Sequence, residues 1–155
     1  MSIIVCGIDP GLSGAVAFYW PETGAIAVED MPVVDGAVNG AALADMIRAM
    51  QPVGALIEQV ASRPGQGVSS VFTFGRGYGT VIGVVQACGV PLEFATPGRW
   101  KKYYRLGPDK EEARAKAIHL WPSCKDFSRK RDHGRAESCL LARYYAENHW
   151  VRRAA

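Results

Sequence analysis

The first third of the chain consists of short apolar runs separated by turn residues. Residues 2–8, 14–20 and 25–31 are such runs, divided by Pro10-Gly11 and by the turn at Pro21–Gly24. This pattern predicts three strands joined by tight turns, which form an antiparallel meander. The later pattern predicts strands at 53–58 and 90–95, helices at 40–50, 71–88, 97–104, 110–120 and about 133–150, and loops at 61–70 and 124–131.

A meander followed by alternating helices and strands is typical of the α/β class. We therefore expect a mixed five-stranded sheet, in which an antiparallel meander continues into parallel strands, with helices on both faces. The length of 155 residues is that of one domain, so we expect a single domain over residues 1–155.

The composition is that of a globular protein with an apolar core. The chain is 48% hydrophobic, its mean hydropathy is −0.02, and no apolar run reaches the roughly 18 residues that a membrane helix needs. The N-terminus lacks the basic region of a signal peptide, so we expect a cytoplasmic protein without a membrane partner.

The four cysteines form no C-x-x-C pair and are predicted to be reduced and buried. A zinc site of Cys124, His133 and Cys139 is a weaker alternative, because this spacing matches no common zinc pattern.

Charge is distributed unevenly along the chain. Residues 1–60 carry seven acidic residues and one basic residue, a net charge of −6, whereas residues 61–155 carry 17 basic and eight acidic residues, a net charge of +9. A basic half of this kind indicates a polyanionic partner such as DNA, with a solvated charged surface as the alternative. The candidate DNA-binding residues are Arg63, Arg76, Arg99, Lys101, Lys102, Lys110, Arg129, Lys130 and Arg131.

Acidic residues stand at the ends of two predicted strands. Asp9 ends the first strand and Glu58 ends the fourth, so the two carboxylates share a sheet edge if these strands are adjacent and parallel. On the last helix, His133 and Glu137 are four residues apart and lie on one face. Asp132 lies about 140° from Glu137 and fits less well, unless it caps the helix and turns toward the site. Three carboxylates and an imidazole suit a pair of divalent ions, although each residue alone also fits an ordinary structural role.

Four segments of the chain resemble the RuvC-type Holliday junction resolvases of the ribonuclease H-like superfamily, and most closely their short phage forms. The segments are GIDPGLSGA (7–15), LIEQV (56–60), ATPGRWKKYYRLGPDKEEARAKAIHLWP (95–122) and DHGRAESCLLA (132–142). The resemblance implies a ribonuclease H-like fold and a homodimer that resolves four-way DNA junctions or other branched DNA. It also implies two Mg²⁺ or Mn²⁺ ions per active site and paired nicks that leave 5′-phosphate and 3′-hydroxyl ends.

The resemblance implies a role for each matching residue. The strand carboxylates are Asp9 and Glu58, and the acid of the last helix is Glu137. The usual ligand three residues before that acid is replaced by Gly134, which has no side chain. The fourth ligand is therefore assigned to His133, with Asp132 as the alternative. The lysines near the scissile phosphate correspond to Lys101, Lys102 and, most firmly, Lys110.

The chain also departs from its relatives, and two other functions stay open. Some relatives carry an aromatic residue after the IEQV motif, where this chain has Ala61 and Ser62. A wedge residue would then be Phe72 or Phe74, although core packing in the 71–88 helix is the favoured interpretation of both. The first rival function is non-catalytic junction binding on the same fold. The second is the phosphate-binding domain of actin-like ATPases and sugar kinases, which need a second such domain.

Overall fold

The computed structural model of the protein describes residues 2–150, so Met1 and the last five residues of the predicted domain lie outside the described residues. Within this range, seven strands and five α-helices form in the order that the sequence predicts, with one additional hairpin. The strands are β1 (Val5–Asp9), β2 (Ala15–Tyr19), β3 (Ile26–Asp30), β4 (Val33–Val34), β5 (Ala37–Val38), β6 (Ala55–Glu58) and β7 (Leu92–Ala95). The helices are α1 (Gly40–Met50), α2 (Val68–Ala87), α3 (Pro97–Tyr103), α4 (Lys110–Leu120) and α5 (His133–Tyr145).

The main sheet has five strands in the order β3-β2-β1-β6-β7. β1, β2 and β3 pair antiparallel, whereas β6 pairs parallel to both β1 and β7. This arrangement confirms the predicted mixed sheet, in which a meander continues into parallel strands. Parallel pairing follows from the crossover helices α1 and α2, because a strand reached through a helix on one face re-enters the sheet in the same direction.

Helices cover both faces of this sheet, as predicted. Successive side chains of β1 point to opposite faces, so Val5 belongs to the core formed with α3, α4 and α5, and Cys6 to the core formed with α1 and α2. Gly7 lets α5 lie directly on β1, since a Cβ at this position would stand 2.3 Å from the backbone nitrogen of Ala142. This close approach places α5 across the strands that carry the candidate acids. Within residues 2–150, no helix is long and apolar enough to cross a membrane.

Several boundaries differ from the sequence prediction. Helix α2 begins at Val68, within the segment predicted as a loop over 61–70. A 3₁₀ turn at Lys130–Asp132 lies partly in the predicted 124–131 loop and leads directly into α5. Beyond Tyr145 the last helix continues to Trp150 with π-helical hydrogen bonding.

The hairpin of β4 and β5 is absent from the sequence prediction. Its turn is Asp35-Gly36, and both residues have positive φ, 51° and 72°. Two successive positive φ angles are the mark of a type I′ turn, for which Asp-Gly is a preferred pair. The local signal was therefore present, but each strand has only two residues, too few to show an alternating pattern.

Candidate active site

Two of the candidate acids meet at one edge of the sheet. β1 and β6 are parallel, with Ile8 opposite Ile57, so Asp9 and Glu58 leave the sheet side by side at the carboxyl ends of these strands. This pairing confirms the adjacency that the prediction required. Asp9 is held in the turn that follows β1, where its Oδ1 accepts a hydrogen bond from the Gly11 amide at 3.3 Å. The third acid, Glu137, reaches the same region from α5 and is only 7% exposed.

Glu58 and Glu137 are buried and Asp9 is partly buried, and their charges interact. Burial, followed by the charges of Asp9 and Glu58, raises the pKa of Glu137 to about 7. Burial first, and then Asp9, raises the pKa of Glu58, and burial also raises the pKa of Asp9. Like charges in a low-dielectric interior destabilise the fold, so such a cluster is characteristic of functional sites.

Positively charged groups stand beside these acids. Lys101 and Lys110 lower the pKa of both Glu58 and Glu137, opposing the effect of burial. Lys110 is the first residue of α4, and its helix begins where the Asp109 side chain accepts a hydrogen bond from the backbone of Glu111. Two of the three predicted phosphate-contacting lysines therefore lie within electrostatic reach of the carboxylates. Lys102 is exposed on α3.

A cleft of about 460 Å³ opens over the site. Asp9, Lys110 and His133 contribute to its lining, together with the loop 10–14, whereas Glu58 and Glu137 are buried. Helix α2 supplies the opposite wall. Its first three turns contribute side-chain hydroxyls and one aromatic ring, from Ser69, Ser70, Thr73 and Phe74. These hydroxyls were not predicted as part of the site, because the sequence pattern indicates a loop at the first two positions.

His133 and Asp132, the two candidates for the fourth ligand, lie in different surroundings. His133 lines the cleft with Asp9, and its charge lowers the pKa of that acid. Asp132 is buried and bound to Arg129: its Oδ2 accepts from the Arg129 amide at 2.8 Å, and its Oδ1 accepts from the Arg129 Nη2 at 2.8 Å. It occupies the N-cap position of α5 without making a capping bond to that helix. Asp132 instead lines a separate cleft with Arg131 and Arg135.

Gly134 explains why the usual ligand position carries no side chain. A Cβ at this residue would lie 2.6 Å from the carbonyl oxygen of Ser13 and 3.3 Å from the Cα of Gly14. The loop after β1 therefore lies directly against the first turn of α5. Because the obstructing atoms are backbone, a carboxylate-bearing residue does not fit here unless that loop moves.

The remaining DNA-binding candidates are spread over the surface. Arg76 lines a small cleft between α2 and the β4–β5 hairpin. Arg129 forms an ion pair with Asp132, so part of the hydrogen-bonding capacity of Arg129 is already used within the protein. The other candidates outside the carboxylate cluster are exposed side chains: Arg63, Arg99, Lys102, Lys130 and Arg131.

The two candidate wedge residues differ in exposure. Phe72 is 69% exposed on α2, so the favoured expectation that it packs in the core is wrong. Its neighbour Phe74 is half-buried and stacks on Tyr78 with 6.1 Å between ring centroids. Helical periodicity alone did not separate the two, because α2 contacts the rest of the fold along only part of its surface.

Trp100 is a further residue of the site that was not predicted; it lies in α3 and is fully buried. Its indole Nε1–H donates a hydrogen bond to Oε2 of Glu58 at 2.8 Å. The available signal was a tryptophan directly before two lysines in a segment that resembles the resolvase family. Nothing in that local pattern identifies the acceptor, which lies 42 residues earlier in the chain.

A metal ion at this site would be held by the side chains around the cleft. Among residues 2–150, no three histidine, cysteine, aspartate or glutamate side chains form a ready-made metal cluster. Cys139 packs in the core with Cys124 at its edge, while His133 lines the cleft. The carboxylates of Asp9, Glu58 and Glu137 offer the hard oxygen donors that Mg²⁺ and Mn²⁺ prefer, and burial with mutual repulsion favours a bound cation.

Two solved structures of RuvC from Thermus thermophilus are similar to this chain. RuvC in complex with a Holliday junction substrate matches with a TM-score of 0.65 at 15% sequence identity, covering 95% of this chain and 96% of that chain. A second RuvC structure matches with a TM-score of 0.62 at 16% identity, covering 94% and 96%. No protein-family model and no curated protein sequence matches this chain. The resemblance seen in the sequence is thus confirmed as a shared architecture: along nearly its whole length, the chain has the ribonuclease H-like fold of RuvC.

Proposed function

We propose that the protein is a metal-dependent endonuclease that cuts branched DNA, with the four-way junction as its substrate. The observation that carries the proposal is a cluster of three acids: Asp9 and Glu58 end two adjacent parallel strands, and the buried Glu137 reaches them from α5. Stability alone does not explain this cluster, because burial raises the pKa of all three acids and neighbouring carboxylates raise the pKa of Glu58 and Glu137 further. The fold supports the choice of substrate, since RuvC of the same fold has been solved with a Holliday junction substrate.

Divalent metal dependence is part of this proposal. Mg²⁺ or Mn²⁺ would be held by the three carboxylates, with the imidazole of His133 as the fourth donor rather than Asp132. When bound, such ions would supply Lewis-acid chemistry, which would lower the pKa of a water nucleophile and offset charge on the leaving 3′ oxygen. The products would carry 5′-phosphate and 3′-hydroxyl ends.

The protein's own side chains would bind and orient the scissile phosphate. Lys110 lines the cleft beside Asp9, and the charge of Lys101 lowers the pKa of the buried acids. Their positive charges would offset the charge that develops on the phosphate. The hydroxyls of α2 face the same cleft and offer hydrogen bonds to a DNA backbone.

We also propose a homodimer as the acting form. A four-way junction has a near two-fold axis, so two symmetric nicks require two active sites related by that symmetry. Sedimentation of the protein alone and bound to a junction measures the stoichiometry. One protomer per junction with a single nick would contradict this part of the proposal.

Cleavage of a synthetic four-way junction tests the proposed function. The wild-type protein should nick the junction in Mg²⁺ or Mn²⁺ and not in EDTA, and should leave a linear duplex of equal length intact. Asp9→Asn and Glu58→Gln should each abolish cleavage and bind the junction in EDTA at least as tightly, because each removes a negative charge near the phosphate. Glu22→Gln removes an exposed charge in the β2–β3 turn and should cut normally.

The other outcomes distinguish the rival functions. Tight junction binding without cleavage in any divalent metal would indicate a non-catalytic junction-binding protein. Binding of ATP without binding of DNA would favour the actin-like interpretation. Cleavage at the wild-type rate by Asp9→Asn would remove that residue from the site.

A further inference from the structure

Tryptophan rings usually bury their apolar surface and direct their single N–H to a backbone carbonyl or to water. Trp121 follows this pattern, because its Nε1 donates to the carbonyl oxygen of Gly24 at 2.9 Å. Trp100 differs. Its ring is fully buried, and its Nε1 donates to Oε2 of Glu58, an acid in the carboxylate cluster, at 2.8 Å.

The fold brings Trp100 to this acid by the register of its last strand. Glu58 lies opposite Ala95, the final residue of β7, and the Gln59 amide donates to the Ala95 carbonyl at 2.7 Å. Thr96 then caps α3, with its hydroxyl accepting from the amide of Arg99. The helix therefore starts beside the acid, and its first turn delivers the indole to the carboxylate.

The ring of Trp100 also contacts a cation, and through Tyr104 it is connected to a second helix. The Lys101 ammonium lies 5.6 Å from the centroid of the Trp100 ring, a cation–π distance. On another side, Tyr104 meets Trp100 edge to face with centroids 6.5 Å apart. The Tyr104 hydroxyl donates to the carbonyl of Leu140 at 2.8 Å, and this carbonyl belongs to the helix that carries Glu137.

These contacts connect the acid at the end of β6 with the helix of the third acid. A buried carboxylate without a fixed donor samples several rotamers, whereas one bound to a rigid ring keeps one orientation. The ring cannot move freely, because it is enclosed in the core and contacts Tyr104. The contact with Lys101 keeps a cation at the same place.

We propose that Trp100 is a positioning residue of the active site, which orients the Glu58 carboxylate for metal through its indole N–H and holds Lys101 on its ring. The inference rests on the proposed function for the identity of the ligand. It adds a residue that acts through Glu58 and touches neither the metal nor the DNA.

Substitution of Trp100, and of the partly buried Trp121 as a control, tests the inference. Trp100→Phe removes the N–H, and so does incorporation of β-(3-benzothienyl)alanine at position 100, which keeps the shape of the indole. Trp121→Phe is the matched control, because it deletes an indole donor that serves a backbone carbonyl. Mn²⁺ binding to the DNA-free protein is measured by calorimetry, and junction cleavage is measured against Mn²⁺ concentration.

Loss of the donor at position 100 should weaken Mn²⁺ binding about tenfold to a hundredfold. The Mn²⁺ concentration for half-maximal cleavage should rise by the same factor, with much of the rate recovered at saturating metal. Trp121→Phe should leave both quantities unchanged. A merely structural role would lower the melting temperature without this change in metal affinity.

A second measurement follows the hydrogen bond directly in the metal-free protein. Glu58→Ala should shift the Trp100 indole ¹H–¹⁵N resonance upfield and speed its hydrogen exchange, while the Trp121 resonance stays in place. Wild-type metal affinity and cleavage in the benzothienyl variant would overturn the inference. If Glu58→Gln also left metal binding and cleavage unchanged, the proposed function would fail as well, so the two failures are distinguishable.

Discussion

Substitution of Glu137 by glutamine should make the metal-free protein more stable at neutral and alkaline pH. The folded structure holds this carboxyl in a buried site beside Asp9 and Glu58, which raises its pKa from an ordinary value of 4.5 to about 7. Between these two values the folded state binds more protons than the unfolded state, so the free energy of unfolding falls as pH rises. The favourable contribution of the protonated group is complete below pH 4.5 and is lost as pH passes about 7.

The difference between the two pKa values sets the size of the effect. A difference of one in pKa corresponds to about 1.4 kcal/mol of unfolding free energy. The rise from 4.5 to about 7 therefore sets an upper limit of about 3 kcal/mol on the stability gained by Glu137→Gln. Glutamine stays neutral and does not experience this penalty. Glu137→Gln and the wild-type protein should therefore be nearly equal in stability below pH 4.5, diverge in favour of the variant between pH 4.5 and about 7, and keep the full difference at higher pH.

Urea unfolding in EDTA, from pH 4.5 to 8.5, measures this difference. Glu22→Gln serves as the control, since it removes an exposed carboxylate from the β2–β3 turn. Its unfolding free energy should parallel that of the wild-type protein. Parallel curves for Glu137→Gln and the wild-type protein, or a variant less stable at pH 8, would refute the reasoning that like-charge burial destabilises this site.

Other expected outcomes concern the ligand choice, the DNA surface and the packing. His133→Ala should lose junction cleavage with little change in unfolding free energy, whereas Asp132→Ala should lose about 1–3 kcal/mol of stability and keep substantial cleavage at saturating Mg²⁺; the reverse result would make Asp132 the ligand. Junction binding should weaken steeply with salt, and Lys110→Ala should reduce the slope of log affinity against log salt by about one; an unchanged slope would remove this lysine from the phosphate contacts. Gly7→Ala should destabilise the protein by about 1–3 kcal/mol or more in urea unfolding, because its Cβ meets the backbone of α5. Gly75→Ala on α2 has open space around its Cβ and should stabilise by about 0.5–1 kcal/mol, so equal effects of the two substitutions would contradict the packing described.

Local patterns were sufficient to predict most of the fold. Apolar runs bounded by proline and glycine placed β1, β2, β3 and β6 to within two or three residues, and helical spacing placed α1 and α4. Asp9 and Glu58 were recognised because each follows a buried strand, and strand ends are local features. The order of elements then limited the topology to a meander followed by parallel strands, which is the sheet observed.

Elements whose sequence pattern extends over few residues were predicted less well. The hairpin of β4 and β5 has an Asp-Gly turn but only two residues in each strand. Helix α2 begins among small polar residues that resemble a loop, because its first turns project beyond the core and need little apolar surface. In both cases the hydrophobic pattern was too short or too weak to predict the element.

The chemistry of the site was decided by contacts between distant parts of the chain. Helical spacing placed His133 beside Glu137, but only the folded structure shows that Asp132 is bound to Arg129 and that the loop after β1 fills the space at Gly134. The choice of Glu58 as the acceptor of the Trp100 indole likewise depends on the pairing of β6 with β7. The sequence by itself determines which segments form strands and helices, because periodicity and turn chemistry act over a few residues. Burial, hydrogen-bond partners and pKa shifts depend on which segments meet, and tertiary packing alone decides that.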